Sequence, residues 1–226
     1  MAATSITIAI LAGGAATRLD GRDKGLECLH GRPLIAWVVD AVRTMDVGAA
    51  SAALLSSRHG DTESIASEGA PRNDLDPVSL LIVANRHIDA YSRHATTIGD
   101  EVRGFRGPLA GIASALAFCS TSWLISVPVD CPQPPQDLAS RLLQAVQADN
   151  LDAAVAQDGE RRQPLFAIYR RELASSAANA VASGQGVWSW QDTVGARELD
   201  FADRCRQFHN LNTPEEFAAY ADRDDA

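Results

Sequence analysis

The chain has 226 residues, 46% of them hydrophobic, and a formal net charge of −9. That length and apolar share suit one α/β domain, or one with a small appendage. The acidic balance argues against a protein that grips nucleic acid by its phosphates.

The four cysteines (Cys28, Cys119, Cys131, Cys205) form no C-x-x-C pair and no zinc spacing, which points to a reduced, cytoplasmic setting. No Lys or Arg precedes the first apolar run, so a secretory signal peptide is not expected. No apolar run is long enough to span a bilayer, so no membrane association is expected.

The first predicted element is a strand through Ile8-Ala9-Ile10-Leu11-Ala12, apolar without alternation, as in a buried parallel strand. It ends abruptly in Gly13-Gly14. Small residues follow, then Arg18 and the pair Asp23-Lys24. Glycines let backbone N–H groups approach a ligand closely, and successive N–H groups cradle anions. Arg18 and Lys24 add two positive charges where phosphates would lie. The stretch reads as a nucleoside triphosphate site at the mouth of the first strand, with the N–H groups of Leu11 to Gly14 as the cradle. It is neither a P-loop nor a G-x-G-x-x-G dinucleotide fingerprint.

Gly31-Arg32-Pro33 is expected to open a helix, because proline is favoured at a first helical position. Leu34, Val38, Ala41, Val42 and Met45 form its apolar stripe, with Trp37 beside them. From Asp46 to Pro77 the pattern weakens into Ala, Ser and breakers, and reads as a surface insertion. Leu80 to Ala84 is the second strand, followed by Asn85-Arg86-His87. Asp100 precedes Gly107-Pro108, and Pro108 starts a helix through about Cys119. Trp123 to Val127 is a further buried strand that delivers Asp130 into a proline-rich exit. A carboxylate there sits where open α/β sheets bind ligands. It is either a magnesium ligand beside a triphosphate or a cap of the next helix. That helix carries Leu138, Leu142, Leu143 and Val146. Asp152 to Ala156 and Gln163 to Tyr169 form a hairpin around Asp158-Gly159. A helix from about Arg171 to Ser183 stops at Gly184. Trp188 and Trp190 are read as packing a short helix on the sheet, with an aromatic platform as the other reading. Thr213, Pro214 and Glu216 make a capping box, which leaves Asn210 and Asn212 without a structural explanation.

Leu11-Ala12-Gly13-Gly14, Arg18 and Asp23-Lys24 resemble the Leu-Ala-Gly-Gly-x-x-x-Arg-Met-Gly-x-Asp-Lys motif of nucleotidyltransferases, and most of all the molybdenum cofactor guanylyltransferase family. Asp20 stands where a glycine is usual, with Gly21 next. The resemblance covers nearly the whole chain apart from residues 46–77. It implies a nucleotide contact for Asp100 and magnesium binding for Asp130. Asn210 and Asn212 would lie near the acceptor. The chain departs from the pattern at three places. Val83 replaces an asparagine associated with the nucleotide, although Asn85 matches the next one. Gln163 replaces a frequent histidine, and an arginine common in relatives is missing around Gln185-Gly186-Val187.

The expected fold is α/β: a Rossmann-like three-layer sandwich with a mostly parallel central sheet and a late antiparallel hairpin. Residues 1–226 form a single nucleotidyltransferase domain. Its nucleotide-binding half is about 1–132 and its acceptor-binding half about 133–226. The resemblance implies transfer of GMP from GTP to molybdenum-molybdopterin, with pyrophosphate released and Mg²⁺ required. Catalysis is assigned to Lys24, Asp130 and Arg18. Nucleotide binding is assigned to Leu11, Ala12, Gly13, Gly14, Lys24, Asp100 and Asp130, and metal binding to Asp130. Molybdoenzymes or cofactor-delivery proteins are the expected protein partners. Rival readings are a cytidylyltransferase for the same pterin, a sugar-phosphate nucleotidyltransferase, and a nucleotide-binding protein that has lost catalysis.

Overall fold

Six consecutive buried residues, Ile6–Leu11, form the central strand β1. The computed structural model describes residues 5–13, 23–48, 78–100, 107–213, 215–217 and 220. Strands β4 (Val78–Val83) and β6 (Trp123–Pro128) flank β1, both parallel to it, and bring Leu11 level with Val83 and Pro128. Strand β5 (Thr96–Ile98) adds to β4 in parallel. On the other side β8 (Arg162–Arg170) runs antiparallel to β6 and to β7 (Ala153–Gln157). Strand β9 (Arg197–Asp200) then pairs in parallel with β7. The order of this seven-stranded sheet is β5-β4-β1-β6-β8-β7-β9. It is the expected mostly parallel sheet with one antiparallel hairpin.

Among the described residues the α-helices are α1 (Leu34–Arg43), α2 (Ile88–Tyr91), α3 (Pro108–Phe118), α4 (Leu138–Ala148), α5 (Ala174–Ala182) and α6 (Val187–Thr193). Side chains of a strand alternate between faces. Ile6, Ile8 and Ile10 accordingly enter one core with Val38, Val42, Leu142 and Val146 of α1 and α4. Ala9 and Leu11 enter another with Leu109, Ile112 and Leu116 of α3 and Ala177 and Val181 of α5. Burial on both faces is why β1 shows no alternation in sequence. Helix α3 is buried from Leu109 to Leu116 and is apolar nearly all round, as a fully enclosed helix must be. Its Ser114 hydroxyl donates to the Ala110 carbonyl at 3.0 Å, so no polar group is stranded there.

Several local expectations change. Gly31-Arg32-Pro33 leads into the first helix as expected, but Pro33 is its N-cap and not its first residue. Cys28–Leu29 (β2) and Arg32–Pro33 (β3) pair as a small antiparallel ribbon, and α1 begins at Leu34. His30 and Gly31 have φ of +51° and +72°, and a tight hairpin turn needs positive φ at both centres. Leu34 leaves the expected stripe and packs with Leu29 and Leu211, while Ile35 and Val39 join the main core. Ala41 is only half-buried. Strands β5 and β9 carry no apolar pattern long enough to read. Trp190 packs as expected, buried against Tyr169 with ring centroids 5.0 Å apart, and donates to Ser176 Oγ at 3.1 Å. Trp188 does not: it is 47% exposed, with the Arg162 guanidinium 5.1 Å from its ring. Of the insertion expected over 46–77, residues 49–77 lie outside the described residues.

Candidate active site

Ligands of open α/β sheets bind beyond the carboxyl ends of the parallel strands. Four singled-out residues follow four neighbouring strand ends: Gly13 after β1, Asn85 after β4, Asp100 after β5 and Asp130 after β6. Lys24 joins them from the turn after the glycine loop. Gly14 and Arg18 lie outside the described residues.

Lys24 Nζ donates to Asp130 Oδ2 at 2.9 Å and to Asn212 Oδ1 at 2.8 Å. Lys24 and Asp130 retain 25% and 19% of their side-chain exposure, so the pair is neither fully buried nor fully solvated. Asp130 Oδ1 is buried and has no hydrogen-bond partner among the described residues. An orphan carboxylate oxygen is costly to bury unless something binds it. Asp130 is not a side-chain cap of α4. The residue flanking that helix is Asp137, and it makes no side-chain cap bond either.

The C-terminal strap explains Asn212. Thr213 Oγ1 accepts the Glu216 N–H at 3.2 Å, and Glu216 Oε2 accepts the Thr213 N–H at 3.0 Å. This is the expected capping box. Glu216 also accepts the Asn212 N–H. The Leu211 N–H donates to the Asp130 carbonyl at 2.8 Å, and the Leu211 side chain is fully buried. The strap therefore crosses the end of β6 and sets Asn212 against Lys24. Asn210 Oδ1 is buried without a partner among the described residues.

The second cluster lies at the ends of β4 and β5. Asn85 Nδ2 donates to Asp100 Oδ2 at 2.6 Å, and the Asp100 N–H donates to Asn85 Oδ1 at 2.8 Å. Burial raises the Asp100 carboxyl above its ordinary range, and the Asn85 bond opposes that rise. Asp100 Oδ1 is a second buried oxygen without a partner among the described residues. A Cβ on Gly13 would stand 3.2 Å from Asn85 Nδ2, so the glycine lets the backbone at this position pass close to the pair. Val83 is buried beside Leu11 and Gly111, an apolar position that offers the cleft no polar contact. Ala12 gives its N–H to the Val83 carbonyl at 2.8 Å, which removes that donor from the expected cradle. Ala12, the last residue of the expected apolar run, still bonds within the sheet.

Three participants were not assigned to the site from sequence. Asn85 was only a motif match. Asp23 flanks the short turn Lys24–Leu26, and its Oδ1 accepts the Gly25 N–H at 3.3 Å. Tyr91, fully buried, donates its hydroxyl to the same oxygen at 2.5 Å. A lone tyrosine in the polar segment after β4 was the available signal.

The later half differs. Gln163 is buried and donates to Asp158 Oδ2 at 2.5 Å. Asp158 Oδ1 also accepts the N–H groups of Glu160 and Arg161, at 2.9 and 2.8 Å, and so organises the hairpin loop. These bonds hold the Asp158 carboxyl below its ordinary range despite opposing desolvation. Arg162 bridges Asp192 and Glu198 at 2.6 and 2.7 Å.

Comparison with known proteins shows the family and the fold. A family model described as "MobA-like NTP transferase domain" matches residues 8–197. A molybdenum cofactor guanylyltransferase from Vibrio vulnificus is 34% identical over 212 residues, 93% of this chain and 92% of that protein. One from Shewanella sediminis is 32% identical over 93% of each chain. Among solved structures, molybdopterin-guanine dinucleotide biosynthesis protein A from Archaeoglobus fulgidus superposes with a TM-score of 0.70 at 20% identity, covering 97% of this chain and 98% of that one. A 2-C-methyl-D-erythritol 4-phosphate cytidylyltransferase from Thermus thermophilus has a TM-score of 0.60 at 15% identity, covering 99% of each, which speaks to fold alone. The chain belongs to the MobA-like NTP transferase family and is a nucleotidyltransferase.

Proposed function

We propose that this chain transfers GMP from GTP to molybdenum-molybdopterin, forming the molybdopterin guanine dinucleotide cofactor and releasing pyrophosphate. The observation that carries the reading is the Lys24–Asp130 pair at the strand ends, with Asp130 Oδ1 buried and unsatisfied among the described residues. The names of the relatives supply the substrates.

A terminal phosphate oxygen of the pterin attacks the α-phosphorus of GTP. A new P–O bond forms as the bond to pyrophosphate breaks, and the electron pair leaves with pyrophosphate. The acceptor is already an anion, so no covalent enzyme intermediate is needed. Catalysis then rests on positioning and charge neutralisation. Lys24 neutralises phosphate charge, and Arg18 and Gly14 are assigned to the same phosphates on the motif alone. Asp100 and Asn85, with the backbone of Gly13, hold the nucleotide; the Ala12 N–H is already given to the Val83 carbonyl. Asp130 is suited to Mg²⁺, which accepts one or two carboxylates with phosphates and water. Bound there, the ion would draw charge from the α-phosphate and leaving group.

On this reading residues 1–132 bind nucleotide and 133–226 bind the acceptor, with Asn210 at their junction. Asn212 reaches the acceptor from the strap that also holds Lys24. Molybdoenzymes or delivery proteins would receive the product in the cytoplasm. No helix among the described residues is long and apolar enough to cross a membrane. The test is nucleotide transfer to molybdopterin with GTP, CTP and ATP in competition. GTP is the expected donor. Preference for CTP would reassign the base, and tight GTP binding without turnover would make the chain a binding protein, the reading that Val83 and Gln163 favour.

A further inference from the structure

We infer that Tyr91 is a positioning residue for nucleotidyl transfer, aiming Lys24 into the cleft through its hydrogen bond to Asp23. The inference rests on the role of Lys24 proposed above.

Tyr91 closes helix α2 and is fully buried. Phenylalanine would fill the same apolar space without demanding a partner, whereas a buried phenol must find one. Among the described residues the hydroxyl donates to Asp23 Oδ1, at 2.5 Å. Burial, and next the bond to Asp23, push the Tyr91 hydroxyl above its ordinary range, so it remains a donor. Asp23 holds the turn that bears Lys24: its carbonyl accepts the Leu26 N–H at 3.0 Å and its side chain accepts the Gly25 N–H. Gly25 is pressed onto the phenol. A Cβ there would fall 2.4 Å from Tyr91 Oη and 2.9 Å from Val129 Cγ2, so the turn has no room to shift in that direction. Val129 directly precedes Asp130. The turn is thus clamped between the phenol after β4 and the residue that leads into the carboxylate. Lys24 is a long side chain with several rotatable bonds, and its stem direction is the part the protein can fix. Tyr91 touches neither Lys24 nor Asp130 through any described hydrogen bond; its effect runs through Asp23.

The experiment is a cycle of Tyr91→Phe and Lys24→Ala in the full chain. It measures transfer rate at saturating GTP and Mg²⁺, GTP affinity by calorimetry, and thermal melts. Tyr91→Phe should melt cooperatively and lower kcat about tenfold. In the Lys24→Ala background it should cause no further loss, because the group it aims is gone. Asp23→Ala should reproduce the kinetic loss of Tyr91→Phe, and it carries the test if Tyr91→Phe does not fold. Asp23→Asn, which keeps an acceptor for the phenol, should restore most of the rate. A wild-type kcat in Tyr91→Phe, or an equal loss in both backgrounds, would overturn the positioning role. Lys24→Ala with wild-type rate and affinity would instead remove the proposed role of Lys24, and this inference with it.

Discussion

The parallel half of the sheet and the hairpin half spend their polar side chains differently. At the ends of β4, β5 and β6, two carboxylates each keep a buried oxygen without a partner among the described residues, Asp100 Oδ1 and Asp130 Oδ1. Neither carboxylate pairs with an arginine in any described contact. In the hairpin half, Arg162 spans two acids, Arg170 pairs with Asp152, and Asp158 is enclosed by its own loop and Gln163. The first pattern leaves binding capacity unsatisfied at a large desolvation cost, which a ligand can relieve. The second pairs its charged groups with one another and serves as scaffold, although the neutral Gln191 Oε1 there is also buried without a partner among the described residues. Catalytic loss should therefore concentrate in the first set and stability loss in the second.

The largest effect should come from Asp130→Asn. Asparagine keeps the size but removes the charge, and the Leu211–Asp130 backbone bond remains. We expect a folded protein that transfers nucleotide at least about a hundredfold more slowly, a barrier increase of roughly 2.7 kcal/mol. A magnesium titration of the rate, with melts alongside, checks this. A wild-type rate and magnesium dependence would remove Asp130 from the centre. Lys24→Ala should come next, weakening GTP binding and transfer by roughly 1.5–3 kcal/mol with little change in melting; calorimetric titration with GTP reads it directly. Asn212→Ala removes one acceptor from Lys24 and should cost about 1 kcal/mol of transition-state stabilisation. Steady-state kinetics would show this as a several-fold fall in kcat/KM, and an unchanged value would make the strap contact incidental. The smallest catalytic effect is expected from Arg162→Ala. Its partners are exposed, so the loss should be about 1 kcal/mol of stability, shrinking as salt is added. GTP affinity should stay within about twofold of wild type. A tenfold loss of GTP affinity in that variant would break the contrast between the halves.

What could be read without coordinates was whatever one segment determines by itself. The continuous apolar runs at β1 and β6 already meant strands buried on both faces, because sequence records burial as composition. Pro108 after Gly107 marked the start of α3, and the Thr213–Glu216 capping box formed as spelled, because a cap involves only neighbours along the chain. The place of Asp130 at the carboxyl edge of the sheet was legible because it follows an apolar strand, whereas the choice between ligand and helix cap was not. Tertiary structure decided what depends on residues far apart. Lys24 meets Asn212 across 188 positions and Tyr91 meets Asp23 across 68, separations over which no periodicity carries information. The short strands β5 and β9 exist because longer neighbours offer them an edge, and their own residues do not demand it. Ala12 lost its N–H to Val83 for the same reason: pairing partners, and not the residue itself, decide which backbone donors reach a ligand.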